Sequence, residues 1–229
     1  MITDQAPVCL RAGGKAAQRR EKITAAARKL FIENGFHATG VAQIAKESGV
    51  AVGQLYRDFA SKEAIIAEIV ASDSGEFLER GDIVLGVALR DESAVWQWLH
   101  DFLIPDPDCP NVLIAEIVAE SARNPKVAEI FKRCHNTVHA GLLRAIEVLL
   151  PGDDVASARV CMADMLLMLS LGLMQHDLIR GEAEARRMAE MAFASFRTQI
   201  LALRGADQAP AAVAGVACRP SAARNTELA

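Results

Sequence analysis

Gln54, Tyr56 and Arg57 fall within four consecutive residues, and their side chains carry the donors and acceptors that read nucleic acid. Glutamine and arginine offer two-pronged hydrogen bonds to adenine and guanine edges, and a tyrosine hydroxyl suits a phosphate oxygen. Gly53 would let a second backbone come close. Lys62 follows Ser61, a capping residue type, so its ammonium and the free amides of a new helix would both face an anion. With Thr39 at the head of the same stretch, the candidate DNA contacts are Thr39, Gly53, Gln54, Tyr56, Arg57 and Lys62.

Other residues suggest other chemistry. His135 and His139 stand one helical turn apart beside Cys134, so two imidazoles could face one metal ion in a helical-bundle enzyme. Two ligands are not a site, and neither a suitably spaced glutamate nor a third histidine is near in sequence. Ordinary polar or pocket-wall histidines are the plainer reading, and no metal or cofactor is expected. His176 and Asp177 interrupt an apolar run and must find a partner, either a ligand's polar group or a dimer contact. No GxSxG, phosphate-binding loop, Rossmann glycines or paired carboxylates occur, so the chain is not expected to be an enzyme.

The elements that would position the first set are short helices. In Thr39–Lys62, TGVAQIAKESGVAVGQLYRDFASK, Val41, Ile44 and Ala45 share one helical face, and Leu55 and Phe59 share another. Gly49 can end the first helix in a left-handed conformation, and Val50 is the apolar plug between the two. This is a helix-turn-helix. Gly40 stands at the N-cap with Gln43 three residues on, a weak capping box.

Around this motif, AQIAKESGVAVGQLYRDFASKEAI and the upstream ITAAARKLFIENGFHATGV resemble the signature of the TetR/AcrR family of bacterial transcriptional regulators, over about fifty residues from Ile23 to Ile69. Three positions depart from the family's pattern: Gly40 where threonine is usual, Ala51 where serine usually caps the second helix, and Asp58 where histidine is frequent. Losing the Ala51 cap costs roughly 1 kcal/mol of local helix stability, and no contact is carried onto Ala51 or Asp58. The resemblance implies a homodimer that binds palindromic operator DNA and releases it when a small effector fills a C-terminal helical bundle. LIAEIVAESARNPKVAEIF, Leu113–Phe131, also looks like the BetI-like type of C-terminal domain.

Composition agrees with a helical regulator. Of the 229 residues 52% are hydrophobic and only 5% aromatic, with few β-rich runs, so the fold class expected is all-α. The net charge of −4 is unevenly spread: residues 1–62 hold ten basic against five acidic residues, and the remainder fifteen against twenty-four. A basic head on an acidic body suits a DNA-binding module fused to a domain that does not bind DNA. The five cysteines are scattered without a CxxC pair, as reduced thiols are, although Cys134 or Cys161 sensing oxidation is a third reading. No apolar run reads as a membrane span and no signal region is evident, so a cytoplasmic location without membrane association is expected.

In chain order, residues 1–17 read as a flexible arm whose Arg11 and Lys15, with Arg19 and Arg20 just beyond, could reach phosphates. Residues 18–64 form the DNA-binding domain, 65–204 the effector-binding and dimerisation domain, and 205–229 a disordered tail. The helix after Lys62 would be a lever. If an effector moved its far end, the spacing of two reading helices would leave the ~34 Å of one DNA turn. Residues 87–104 form one apolar segment. Residues 155–179 are apolar nearly all round and should be buried on most sides. Trp96, Phe102, Phe131, Met165 and Met168 are the candidate pocket for a hydrophobic effector. By the resemblance the last two helices pair between subunits, through Leu171, Met174, His176, Phe193 and Phe196.

Overall fold

The computed structural model describes residues 14–79, 81–104 and 111–206, and every regular element among them is an α-helix. The first four are α1 (Lys15–Asn34), α2 (Val41–Ser48), α3 (Val52–Asp58) and α4 (Lys62–Leu78). They are followed by α5 (Gly81–Leu89), α6 (Glu92–Leu103), α7 (Asn111–Ser121), α8 (Pro125–Leu149), α9 (Ala156–Arg180) and α10 (Glu182–Ala206). Arg11, Cys9, Cys109, Cys218 and most of the expected arm and tail lie outside the described residues. Lys15, assigned to the arm, opens α1 instead.

The helices divide into two compact units, and the division differs from the expected domain boundary. Among the described residues, one unit takes those through Ser72 together with Val112–Phe131, and the other takes those from Asp73 to Asn111 together with those from Lys132 on. The head's core explains why. Ile23, Ala27 and Phe31 of α1, Phe36, Ile44, Leu55, Phe59 and Ile65, Ile66 and Ile69 of α4 are buried with Leu113, Ile117, Val127 and Ile130. Each of the larger side chains contributes about 1.5–3 kcal/mol on burial, and α4's isoleucines share this core with residues of the 112–131 stretch. Periodicity marks an apolar face but does not say which distant helix covers it.

Local signals set the boundaries. Gly49, at φ 68°, ends α2, with Val50 N–H donating to the Ala45 carbonyl at 3.1 Å. The Gly40 N–H donates to Gln43 Oε1 at 2.6 Å, the half of the expected box that a glycine cap allows. Ala51 gives α3 no side-chain cap. Ser61 Oγ accepts from Ala64 N at 3.3 Å, and Asn124 Oδ1 from Lys126 N at 3.1 Å, where Pro125 opens α8.

The apolar segment expected over 87–104 is broken. Arg90 takes φ 54°, and the Asp91 carboxylate caps α6 by accepting from Ser93 N at 2.9 Å and Ala94 N at 3.2 Å. A left-handed arginine costs about 1 kcal/mol or more, which this cap offsets.

The body's core gathers Val95, Trp98, Leu99, Leu142, Ile146, Leu149, Leu166 and Phe196. Here α9 corrects two expectations. By length and composition it could cross a membrane, yet only 22% of its most apolar stretch is buried within the chain. Ala163, Leu166, Leu167 and Leu173 face the core, while Val160, Met168, Leu178 and Ile179 are exposed. It is a core helix on one side and an uncovered apolar stripe on the other.

Candidate nucleic-acid interface

The helix α3 is held by Leu55 and Phe59, both sunk in the head's core. Their four-residue spacing turns the rest of the helix outward. Tyr56 is 53% exposed, Arg57 is exposed, and Gln54 is half-buried. Arg57 donates to Gln54 Oε1 at 3.3 Å, so the two groove-reading side chains stand next to each other. A Cβ at Gly53 would meet nothing of the chain within 4 Å, which leaves the start of α3 open to a partner.

Two expected contacts face inward instead. Thr39 is 2% exposed, and its hydroxyl donates to the Leu30 carbonyl at 3.1 Å and the Gly35 carbonyl at 2.8 Å. It pins the turn between α1 and α2 and presents no free hydroxyl to DNA. Lys62 was expected to meet an anion at the start of α4. Its Nζ lies 2.5 Å from the Phe36 carbonyl, 2.9 Å from that of Thr39 and 4.3 Å from the centre of the Phe36 ring. Carbonyls and a ring face compete for the ammonium that a phosphate would need. Burial pushes Lys62 below the usual lysine range, against the pull of Glu120 and Glu63.

Arg19 and Arg20 are likewise committed. Arg19 grips Asp58 with Nε 2.5 Å from Oδ2 and a terminal nitrogen 2.8 Å from Oδ1. Arg20 donates to the Asp58 carbonyl at 2.7 Å, pairs with Glu68 at 2.9 Å and lies 4.2 Å over the Phe59 ring. Asp58, to which the sequence assigned nothing, therefore ties the start of α1 to the end of α3. The Arg19 hydrogen bonds hold its carboxyl below the usual range, partly offset by burial. The sequence signal for this pair was faint: a carboxylate where the resembled family often has histidine, and an arginine thirty-nine positions away.

Glu116 is another residue the sequence did not mark. Its Oε2 accepts the Phe36 N–H at 3.1 Å, beside Gly35, whose φ of 80° suits glycine. Asn124 Nδ2 reaches Glu63 and Glu120, each at 3.4 Å.

None of the five residues expected to line an effector pocket borders the cleft that the body presents. Phe131 packs against the head's core, Met168 is 68% exposed, and Trp96 sits edge-on to Phe193 and Phe196 at 6.0 and 6.3 Å. Phe102 and Met165 pack against the body's core. A cleft of about 220 Å³ in the body is lined by other residues, among them Leu78, Trp98, Gly141 and Arg144. Trp96 and Trp98 both lie on α6, and it is Trp98 that borders this cleft.

Of the expected dimer residues, Phe196 is fully buried in its own chain's core, which removes it from the list. Phe193 is half-buried against Trp96 and His100. Leu171, Met174 and His176 are half-buried on α9, and His176 Nε2 is buried without a hydrogen-bond partner.

The possible metal pair has rings nearly parallel with centroids 6.4 Å apart. His139 Nε2 faces Asp164 Oδ1 at 3.2 Å, an ion pair when the ring is protonated, but it is not aligned as a hydrogen bond. Burial raises the Cys134 thiol above its usual range, which disfavours the thiolate a metal needs. Among the described residues no three His, Cys, Asp or Glu side chains are grouped to hold an ion.

Comparison with known proteins agrees with the helix-turn-helix. Residues 23–69 match the family model described as bacterial regulatory proteins, tetR family. The HTH-type transcriptional regulator UidR of Escherichia coli is 36% identical over 128 residues, 54% of this chain and 62% of that protein, so the match spans less than two thirds of this relative. The solved structure of Salmonella enterica GusR superposes with a TM-score of 0.64 at 26% identity, covering 83% of this chain and 97% of that one. The structure titled SmeT-Triclosan complex shares the fold, with a TM-score of 0.63 at 17% identity over 80% of this chain and 91% of that one. Of these, UidR is named as a transcriptional regulator, and the family model is one of regulatory proteins rather than enzymes. Over residues 23–69, helix-turn-helix included, the chain is thus similar to bacterial regulatory proteins of the tetR family.

Proposed function

We propose that the protein is a homodimeric, ligand-responsive transcriptional repressor that binds a palindromic operator through α3. The observation that carries this reading is the outward row on α3. Gln54, Tyr56 and Arg57 stand on a helix whose other face is locked into the head by Leu55 and Phe59. A rigid helix with exposed bidentate hydrogen-bonding side chains is what major-groove readout requires. Thr39 and Lys62 serve by fixing the frame on which α3 stands.

Dimerisation is supported by the stripe that α9 and α10 leave uncovered. Met168 and Ile179 are 68% and 70% exposed, and Met191 and Leu201 on α10 are exposed as well. Apolar area of this extent on two adjoining long helices favours burial against a second copy. Leu171, Met174 and the unsatisfied Nε2 of His176 would be covered there. The effector reading draws on the solved fold relative whose title records triclosan, an apolar aromatic molecule. The likeness of Leu113–Phe131 to the BetI-like type belongs to the same reading. Location in the cytoplasm would follow from a role on operator DNA.

Mobility-shift assays with the promoter region of the protein's own gene test the proposal. A discrete complex that survives excess random duplex at moderate salt is expected. Equal binding to any duplex, or none, would sink it.

A further inference from the structure

We infer that the effector is a small amphipathic anion, an apolar body bearing one carboxylate, seated in the body's cleft with the carboxylate on Arg144. This rests on the ligand-responsive reading above and adds the chemical class. The walls of the cleft are hydrocarbon: Leu78 at the end of α4, Ile83 and Val87 of α5, and Trp98 of α6. Trp98 already donates its indole N–H to the Phe77 carbonyl at 3.3 Å, so it offers the cleft only ring surface.

Among the described residues Arg144 is the single charged one in the lining. No hydrogen bond or ion pair joins its guanidinium to another described residue, and no carboxylate among the described lining residues could receive a cationic ligand. A planar fork of donors beside an apolar wall matches a carboxylate, which can take two parallel hydrogen bonds.

The floor beside it is glycine. Gly141 precedes Arg144 by three residues, so both lie on one face of α8, and a Cβ at Gly141 would stand 2.3 Å from Leu78 Cδ2. Any side chain there would press on the wall. At the rim Val84 is 54% exposed, apolar surface that a bound ligand would cover. At about 220 Å³ the cleft is smaller than the roughly 300–1,000 Å³ of drug-sized pockets, which limits the occupant to about one aromatic ring or a short acyl chain.

The test uses the full chain with phenylbutyrate and its uncharged isostere phenylbutanamide, followed by tryptophan fluorescence and thermal midpoint. The acid should bind about tenfold more tightly than the amide. Arg144→Gln should bring the acid down to the amide's affinity and leave the amide unchanged, and Gly141→Leu should weaken both. Saturating acid should also release a bound operator fragment. Equal binding of the two probes, a preference that survives Arg144→Gln, no saturable binding, or binding without operator release would each overturn the inference. Because Arg144 is exposed, its variant carries the test even if Gly141→Leu folds poorly. Operator binding without any probe is scored separately, so failure of the repressor reading is distinguishable from failure of this one.

Discussion

Arg19 and Asp58 form a two-pronged ion pair, 2.5 and 2.8 Å, that joins the second turn of α1 to the last residue of the reading helix α3. Arg20 seals the same corner on the Asp58 carbonyl. Two arginines that a sequence would assign to DNA phosphates are instead spent on orienting α3.

This pair has a pH signature. Hydrogen bonds from Arg19 hold the Asp58 carboxyl below its ordinary range, so the folded state binds its proton less readily than the unfolded chain does. Its contribution to stability is therefore complete above about pH 4 and is lost as pH falls through the depressed value. Asp58→Asn should lower the thermal midpoint at neutral pH, and the gap from wild type should close as pH falls below about 4. A gap of constant size across a pH series would mean that charge is not what joins the two helices.

For the reading helix, Arg57→Ala combined with Tyr56→Phe should weaken operator binding by about tenfold to a hundredfold, with the melting midpoint unchanged. Both side chains are exposed, so stability is a fair control. Unaltered affinity in a mobility-shift titration would take these residues out of the interface.

Lys62 should behave as a structural residue. Lys62→Met strips a cation from the Phe36 and Thr39 carbonyls and should cost about 1–2 kcal/mol in denaturant unfolding. The slope of log affinity against log salt should stay as in wild type, because no phosphate is lost. A slope reduced by about one would restore Lys62 to the DNA contacts.

Thr39→Val keeps the shape and removes the hydroxyl that bonds the Leu30 and Gly35 carbonyls. A loss of about 1 kcal/mol is expected from chemical denaturation, with operator affinity of the folded protein preserved. Weaker DNA binding at full stability would instead give the hydroxyl a phosphate.

On the body, Met168→Glu and Ile179→Glu place carboxylates on the exposed stripe of α9. Burying either in a dimer would raise the dissociation constant by at least about a hundredfold, while the monomer keeps its helicity. Light scattering that still gives a dimer for both variants would locate the interface elsewhere.

The sequence by itself determined the helices, the turn at Gly49, the capping box at Gly40 and the outward row of α3. Each of these depends on residues within one or two turns of each other, where spacing alone fixes geometry. Tertiary structure decided that Lys62 and Thr39 turn inward, that Asp58 takes Arg19, that Glu116 bonds Phe36 and that Trp98 rather than Trp96 borders the cleft. These pairings join positions far apart in the chain. A donor's or an apolar face's partner is set by which helices pack together, and in α9, apolar almost all round, periodicity could not say which side its own chain would cover.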